Sequence, residues 1–376
     1  MATLSSHGYR TGEQRILHGR RFDLWLAISA LLLLAIGLMA QYSADQGSNT
    51  SNFLNQGIRI AIGIVPFAVM YRVDPRFWRK HALVLYGLNL AVLAAVLVVG
   101  RKGGGAQRWI QFGPLEFQPS EMAKLLLALT LAAFFASRQD RIRSFSTFAL
   151  SLAHIAPPLA LVFLQPHLGG TLVLLVVWLS IALVAGVPLK YIAGSVLAVA
   201  AVMGMAVTVP GILKDYQKER LTALVQRNDE DSTFQIMRAE IAIGAGGLTG
   251  AGFSRGEWLQ GGFVPKQHTD FIFTVVAEEG GLVGCVLVLG AFGFFLFRAW
   301  LVMYRAFDPF AQMACAGILG MIAFHTIVNL GMNLQLLPVV GLWLPFLSYG
   351  GTAIWLMLGC LGFLLNVRRR ERPLLF

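Results

Sequence analysis

Charge is scarce in this chain. Of its 376 residues only 13% are Asp, Glu, Lys or Arg, about half the roughly 25% of an ordinary soluble domain. With 56% hydrophobic residues, that scarcity excludes a soluble fold and leaves a polytopic membrane protein. Acid is the rarer sign, 19 against 30 basic residues, for a net charge of +11. The basic residues are scattered at the ends of apolar runs and form no stripe, so nucleic acid is not the partner. Cysteine is nearly absent. Cys285, Cys315 and Cys360 all fall in apolar runs, which excludes a disulfide framework and a cysteine metal motif. There is no internal repeat, no low-complexity tract, no P-loop and no nucleophile triad, which argues against hydrolytic and ATP-driven chemistry.

Long apolar stretches are abundant. A span needs about 20 apolar residues, and ten segments qualify: 22–42, 54–72, 81–100, 121–136, 147–164, 168–187, 189–210, 270–297, 309–334 and 350–367. The fold class is therefore all-α, with residues 1–21 as a polar arm, 22–367 as one membrane domain and 368–376 as a basic tail. The first apolar run is too long for a signal-peptide core and reads as a retained span. Arginine and lysine crowd the arm, the 72–80 loop, Arg138, Arg141 and Arg143, the stretch Arg298 to Arg305, and the tail. By the positive-inside rule both termini are cytoplasmic and the long 211–269 loop is outside. That loop contains "STFQIMRAEIAIGAGG", a helical pattern with a serine cap signal and terminal glycines, suited to the membrane surface. "IGAGGLTGAG" lacks the third glycine and the preceding strand of a dinucleotide fingerprint, so its glycines are read as backbone turns.

Three stretches carry polar groups where lipid disfavours them. In "FGPLEFQPSEMAKLLLALTLAAFFASR" Ser120 is the expected N-cap and Glu121 sits in the first turn. The run from Met122 to Ala136 covers only about 23 Å, so the helix is expected to start below the outer surface, fed by a segment that dips in. Such backbone survives only when it is buried in protein or lines a wet cavity. Glu121 and Lys124 share a face and form either a structural ion pair or a ligand site. Arg59 lies early in its span and snorkels or does more. In "PKQHTDFIFTVVAEE" Asp270 stands at the outer mouth, either as a helix-start acid or as a reactive group. Glu278 and Glu279 lie deeper and are expected to pair with neighbouring helices. "LPVVGLWLPFLSYGGTAIW" is a plain loop or re-entrant backbone, with Ser348 near the start of the last helix. All these features face one side, which suits a lipid-anchored substrate met from outside.

In order along the chain, "GAQRWIQFGPLEFQPSE", "QPHLGG", "AIGAGGLTGAG", "PKQHTDFIFTVVAEE" and "LLPVVGLWLPFLSYGG" resemble the signature segments of the SEDS family, the shape, elongation, division and sporulation proteins of the bacterial wall. "KGGGAQRW" and "IAIGAGGLTGAG" are more similar to its elongation branch, RodA, than to its division branch, FtsW. The resemblance implies a glycosyltransferase of the cytoplasmic (inner) membrane that polymerises lipid II into β-1,4-linked glycan, with undecaprenyl diphosphate leaving and the growing glycan-undecaprenyl diphosphate as the second substrate. It implies Asp270 as general base. Glu121, Lys124, Arg108 and Arg220 are implied around the diphosphate, and Trp109, Gln118, Ser120, His268, Thr269, Ser348 and Tyr349 along the substrate. A divalent cation, Mg²⁺ or Mn²⁺, is compatible with a diphosphate leaving group; no metal ligand is assigned and no organic cofactor is implied. The implied partners are a class B penicillin-binding transpeptidase, packed beside the eighth and ninth spans, and membrane proteins of the elongation complex. The chain departs from the family pattern at His167 (usually an acid), Gly170 (usually threonine), Lys266 (usually an acid) and Arg238–Ala239. A lipid II flippase would use the same intramembrane charges as a pathway, and a scaffold would only bind the transpeptidase; glycan strands, transbilayer movement or neither would separate the three.

Overall fold

The computed structural model describes residues 22–46, 52–103, 106–112, 115–165, 167–208 and 230–370. Among them are thirteen α-helices. Helices α1 (Leu24–Gln46), α2 (Asn52–Arg72), α3 (Pro75–Lys80) and α4 (Ala82–Val99) come first. Next are α5 (Pro119–Ala136), α6 (Phe145–Leu164), α7 (Leu168–Ala185) and α8 (Leu189–Thr208). The segment after α8 holds α9 (Glu230–Ala245) and α10 (Glu257–Gln260), and the chain closes with α11 (Ile272–Arg305), α12 (Pro309–Asn333) and α13 (Gly351–Arg369). Nine helices among the described residues are long and apolar enough to cross a membrane, and α8 is apolar over Leu189–Ala201. They fall on the ten expected segments, and the protein is a multi-pass helical membrane protein.

Helix starts follow local chemistry. Asp74 caps α3 through Arg76 N at 2.8 Å, Ser144 caps α6 through Thr147 N at 3.2 Å, and Asp308 caps α12 through Ala311 N at 3.2 Å. Each side-chain oxygen satisfies an amide that has no partner within its helix. Ser120 does not cap α5. Gln118 holds the N-cap position and Pro119 opens the helix, because proline loses nothing where the amide is unpaired anyway. The segment before α5 is not helical. Strands β1 (Arg101–Gly103), β2 (Ala106–Phe112) and β3 (Leu115–Phe117) form an antiparallel meander, a small exception to the all-α expectation. Its last residues are tied to α13: Thr352 Oγ1 accepts from Gln118 N at 2.9 Å.

Among the nine, helices α13, α5 and α12 are the most enclosed by the rest of the protein, and α2 and α4 among the least. Lipid provides no hydrophobic drive between helices, so small residues set the contacts. At Gly317, for example, a β-carbon would stand 2.8 Å from Ile181 Cδ1 of α7.

The 34-residue α11 is broken at Gly281 (φ 60°, ψ −159°). Before the break its residues are largely buried; after it Leu282, Val283, Val286 and Leu287 are exposed, as lipid-facing side chains should be. From Leu282 to Arg305 the helix covers about 36 Å, enough to span. The break is filled by the loop after α9. Leu282 N donates to Gly247 O at 2.9 Å and Ala251 N to Glu278 O at 2.9 Å. A β-carbon at Gly281 would strike the Gly250 and Leu248 backbone.

This arrangement corrects the expectation for the two deeper acids. Glu278 accepts from Trp258 N (2.8 Å) and Leu259 N (3.0 Å), and Glu279 from Ser254 N (3.0 Å). They anchor the 254–259 segment that precedes α11. Only Glu279, through Ser43 of α1, also reaches a neighbouring membrane helix.

At the opposite end, Asp23 is buried before α1. It accepts from Leu26 N at 3.0 Å and from Arg298 Nη2 at 2.7 and 2.8 Å, with Arg368 Nε at 3.6 Å. One carboxylate thus joins α1, α11 and α13.

Candidate active site

Asp270 lies outside α11, one residue before its N-cap Phe271. It neither caps the helix nor sits in its first turn, and Thr269 does not cap it either. The turn begins at Lys266, which takes φ +56°; its carbonyl accepts from Thr269 N (3.0 Å) and Phe271 N (3.3 Å). A non-glycine residue there costs about 1–3 kcal/mol and persists only where its surroundings over-determine it.

Those surroundings are unusually complete. His268 O accepts from Gln41 Nε2 of α1 at 2.9 Å and from Tyr349 N at 2.8 Å. Thr269 O accepts from Ser348 Oγ at 2.6 Å. Asp270 O accepts from Asn329 Nδ2 at 2.9 Å and Asn333 Nδ2 at 3.1 Å, both on α12. Three successive carbonyls are therefore held by three separate parts of the chain, while the Asp270 side chain stays half-buried. Ser348 also accepts from Leu344 N at 2.7 Å, which folds the non-helical 334–349 segment onto the turn before α13. Arg59 of α2 stacks on Tyr349, 4.1 Å from the ring centre; it does more than snorkel. Burial pushes the His268 imidazole below its ordinary value of 6.5, partly opposed by Asp45.

Glu121 and Lys124 form the second constellation. Both are buried, and the ammonium donates to the two carboxylate oxygens at 2.7 and 2.8 Å. Trp343 Nε1 donates to Glu121 Oε2 at 3.0 Å. Lys124 Nζ also lies 3.2 Å from His325 Nε2. An ammonium only donates, so His325 Nε2 accepts and its ring proton sits on Nδ1, 3.2 Å from Trp343 O. His325, Asn329 and Asn333 are spaced four apart on α12 and form one polar seam. It touches the buried pair at one end and the Asp270 turn at the other.

The third group comes from the meander and the start of α7. Arg108 is half-buried and its Nε donates to Gln165 O at 2.8 Å. Trp109 pairs with Arg101 across β1–β2 and is half-buried. Gln118 Nε2 donates to Ser120 Oγ at 3.1 Å, and that hydroxyl lies 3.3 Å from His167 Nδ1. The two departures in "QPHLGG" are linked: a β-carbon at Gly170 would lie 2.6 Å from His167 Nδ1. Any larger residue at 170 turns the imidazole out of this pose.

Of the expected site residues, the structure gathers His268, Thr269 and Asp270 in one turn with Ser348 and Tyr349 bonded onto it, Glu121 and Lys124 in one pair, and Gln118 and Ser120 beside His167. Arg220 lies outside the described residues. Gln41, His325, Asn329, Asn333 and Trp343 were not anticipated. The four-residue spacing of two asparagines and a histidine within an apolar run was the available signal. Among the described residues no three His, Cys, Asp or Glu side chains converge as a metal cage.

The family model described as cell cycle proteins, FtsW, RodA and SpoVE, matches residues 21–373. A probable peptidoglycan glycosyltransferase FtsW of Geobacter metallireducens is 34% identical over 94% of this chain and 96% of its own length. The peptidoglycan glycosyltransferase MrdB of Escherichia coli is 32% identical over 94% of this chain and 95% of its own. A chain solved in work on the structural coordination of polymerization and crosslinking by a peptidoglycan synthase complex superposes with a TM-score of 0.82 at 33% identity, covering 94% of this chain and 99% of that one. The rod shape determining protein RodA of Thermus thermophilus superposes with a TM-score of 0.71 at 30% identity, covering 93% and 97%.

Proposed function

The chain belongs to the FtsW, RodA and SpoVE family of cell cycle proteins, the SEDS group, and from that membership we propose a lipid II polymerase whose general base is Asp270. The protein is a peptidoglycan glycosyltransferase. The observation that carries the choice of base is the turn at 268–270. An acid that merely began a helix would not need three consecutive carbonyls held from α1, α12 and the 334–349 segment. A base must be held within hydrogen-bond reach of the proton it takes.

In this reading the 4-hydroxyl of the acceptor sugar gives its proton to Asp270 and attacks the anomeric carbon of the donor in line. The α-linked diphosphate departs and a β-1,4 bond forms. Base catalysis of this kind is worth about 10²–10⁴ in rate. Positive charge aimed at the departing diphosphate supplies the other large contribution, and Arg108 on β2, Arg220 and Lys124 are its proposed sources. Lys124 is enclosed and engaged by Glu121, so it meets phosphate only by exchanging carboxylate oxygens for phosphate oxygens. Trp109, Gln118, Ser120, His268, Thr269, Ser348 and Tyr349 are the proposed contacts along the substrate. Were a divalent cation bound with the substrate, Asp270 is the carboxylate that would hold it, and it would help neutralise the departing diphosphate; no step depends on it.

The motif resemblance favours elongation duty in the bacterial cytoplasmic membrane, with the site facing outward. The exposed apolar face of α11 beyond Gly281 is the proposed seat of a class B transpeptidase helix. The origin of the superposed chain in a synthase complex supports that partner, and elongation-complex membrane proteins are proposed to join it.

Purified Asp270→Asn, verified as folded, is expected to lose glycan polymerisation from lipid II by at least two orders of magnitude. Near wild-type strands from that variant would remove Asp270 as base.

A further inference from the structure

We infer that Asn329 and Asn333 are positioning residues for the reaction, holding the Asp270 peptide so that its carboxylate meets the acceptor hydroxyl; this rests on Asp270 being the base.

Both asparagines are essentially closed to solvent. A polar amide inside an apolar helix is unfavourable unless its hydrogen bonds are made. One bond from each Nδ2 meets on the same atom, Asp270 O. Asp270 precedes the N-cap, and the α11 ladder opens with Thr274 N donating to Phe271 O at 3.0 Å, so the Asp270 carbonyl stands outside the helix. A carbonyl has two acceptor directions; Asn329 Nδ2 (2.9 Å) and Asn333 Nδ2 (3.1 Å) take them. With both filled, the peptide plane after Asp270 is not free to rotate, and its side chain leaves the backbone in a set direction.

The same two residues extend the hold. Asn329 Nδ2 also donates to Leu342 O at 2.7 Å, drawing in the segment that delivers Ser348 to Thr269 O and Tyr349 N to His268 O. Asn333 donates back to Asn329 O at 2.8 Å and lies 3.3 Å from Asn329 Oδ1, fixing its partner's amide. Four residues earlier on the same face, His325 meets Lys124. One helix face therefore sets the distance between the base and the buried ion pair.

The molecule contains its own control. Asn366 is equally buried and donates to two carbonyls, Met70 O at 2.8 Å and Val73 O at 2.6 Å, at the far end of α13 from the turn. It does the same hydrogen bonding with no contact to the site.

The test is steady-state polymerisation of lipid II by the purified full-length protein, per mole of folded enzyme. Asn333→Ala is expected to lower kcat by roughly ten- to a hundredfold, the scale of a misplacement near 1 Å, with KM within about twofold. Asn366→Ala is expected to lower the melting temperature and leave kcat within about twofold. Equal loss of kcat in both variants, or a rise in KM that accounts for the loss at 333, would reduce the asparagines to structural ones and overturn the inference. If Asn333→Ala does not fold, Asn333→Asp keeps the volume, replaces the donor with an acceptor, and is judged by the same split. Asp270→Asn is measured alongside. If it is inactive while Asn333→Ala keeps wild-type kcat, positioning fails and the base stands; if it is active, the base reading itself fails.

Discussion

At the scale of single residues, the buried pair poses the sharpest energetic question. Lys124 and Glu121 satisfy one another away from water, and removing one partner from such a pair leaves an uncompensated charge that costs about 3–5 kcal/mol. Lys124→Met is therefore expected to melt well below the wild type in detergent, and Glu121→Gln combined with Lys124→Met to recover part of that loss. A double variant as unstable as the single one would show that coupling between the two charges is small. How much was legible differs from residue to residue. Asp270 and Lys124 stood out because a charge in an apolar run is rare and expensive. Asn329 and Asn333 were passed over because asparagine carries no charge, and their purpose lies in a carbonyl about sixty positions away in the chain. Ser120 was misread because the N-cap signal is local, whereas its hydroxyl meets Gln118 and His167, the residue that precedes α7.

At the scale of elements, span positions were readable to within a few residues, since apolar length is a local property. The exception is α11, which reads as one unbroken span in the sequence and is broken at Gly281. The break at Gly281 is decided by the 246–252 backbone lying against it, a contact that no local period encodes. Gly281→Ala puts a β-carbon into the Gly250 and Leu248 backbone on a residue with φ +60°. It is expected to destabilise by about 1–3 kcal/mol and to expose the 246–260 segment to protease. Unchanged melting and unchanged cleavage would mean that the break is not tightly held. The β1–β3 meander escaped detection for a related reason: its strands are three to seven residues long, too short for a period-two pattern to show.

At the scale of the whole molecule, polar ties gather at both ends of the helix bundle. At the end away from the Asp270 turn, Asp23 draws α1, α11 and α13 together. Asp23→Asn is expected to lower stability by about 3 kcal/mol while leaving KM for lipid II unchanged, read by thermal melting beside polymerisation; a changed KM would mean that this end of the bundle communicates with the turn. The Asp270 turn also has a consequence for biogenesis. Apart from Gln41, every side chain or amide that holds the 268–270 carbonyls comes from residue 329 or later. A ribosome working from the N-terminus therefore releases Asp270 well before most of the groups that hold its turn. Gln41 emerges among the first and waits 227 positions for its carbonyl. Among the described residues, a product truncated before α12 keeps one of the five groups that hold these carbonyls and lacks the other four, so the turn takes its final shape only when the chain is nearly finished.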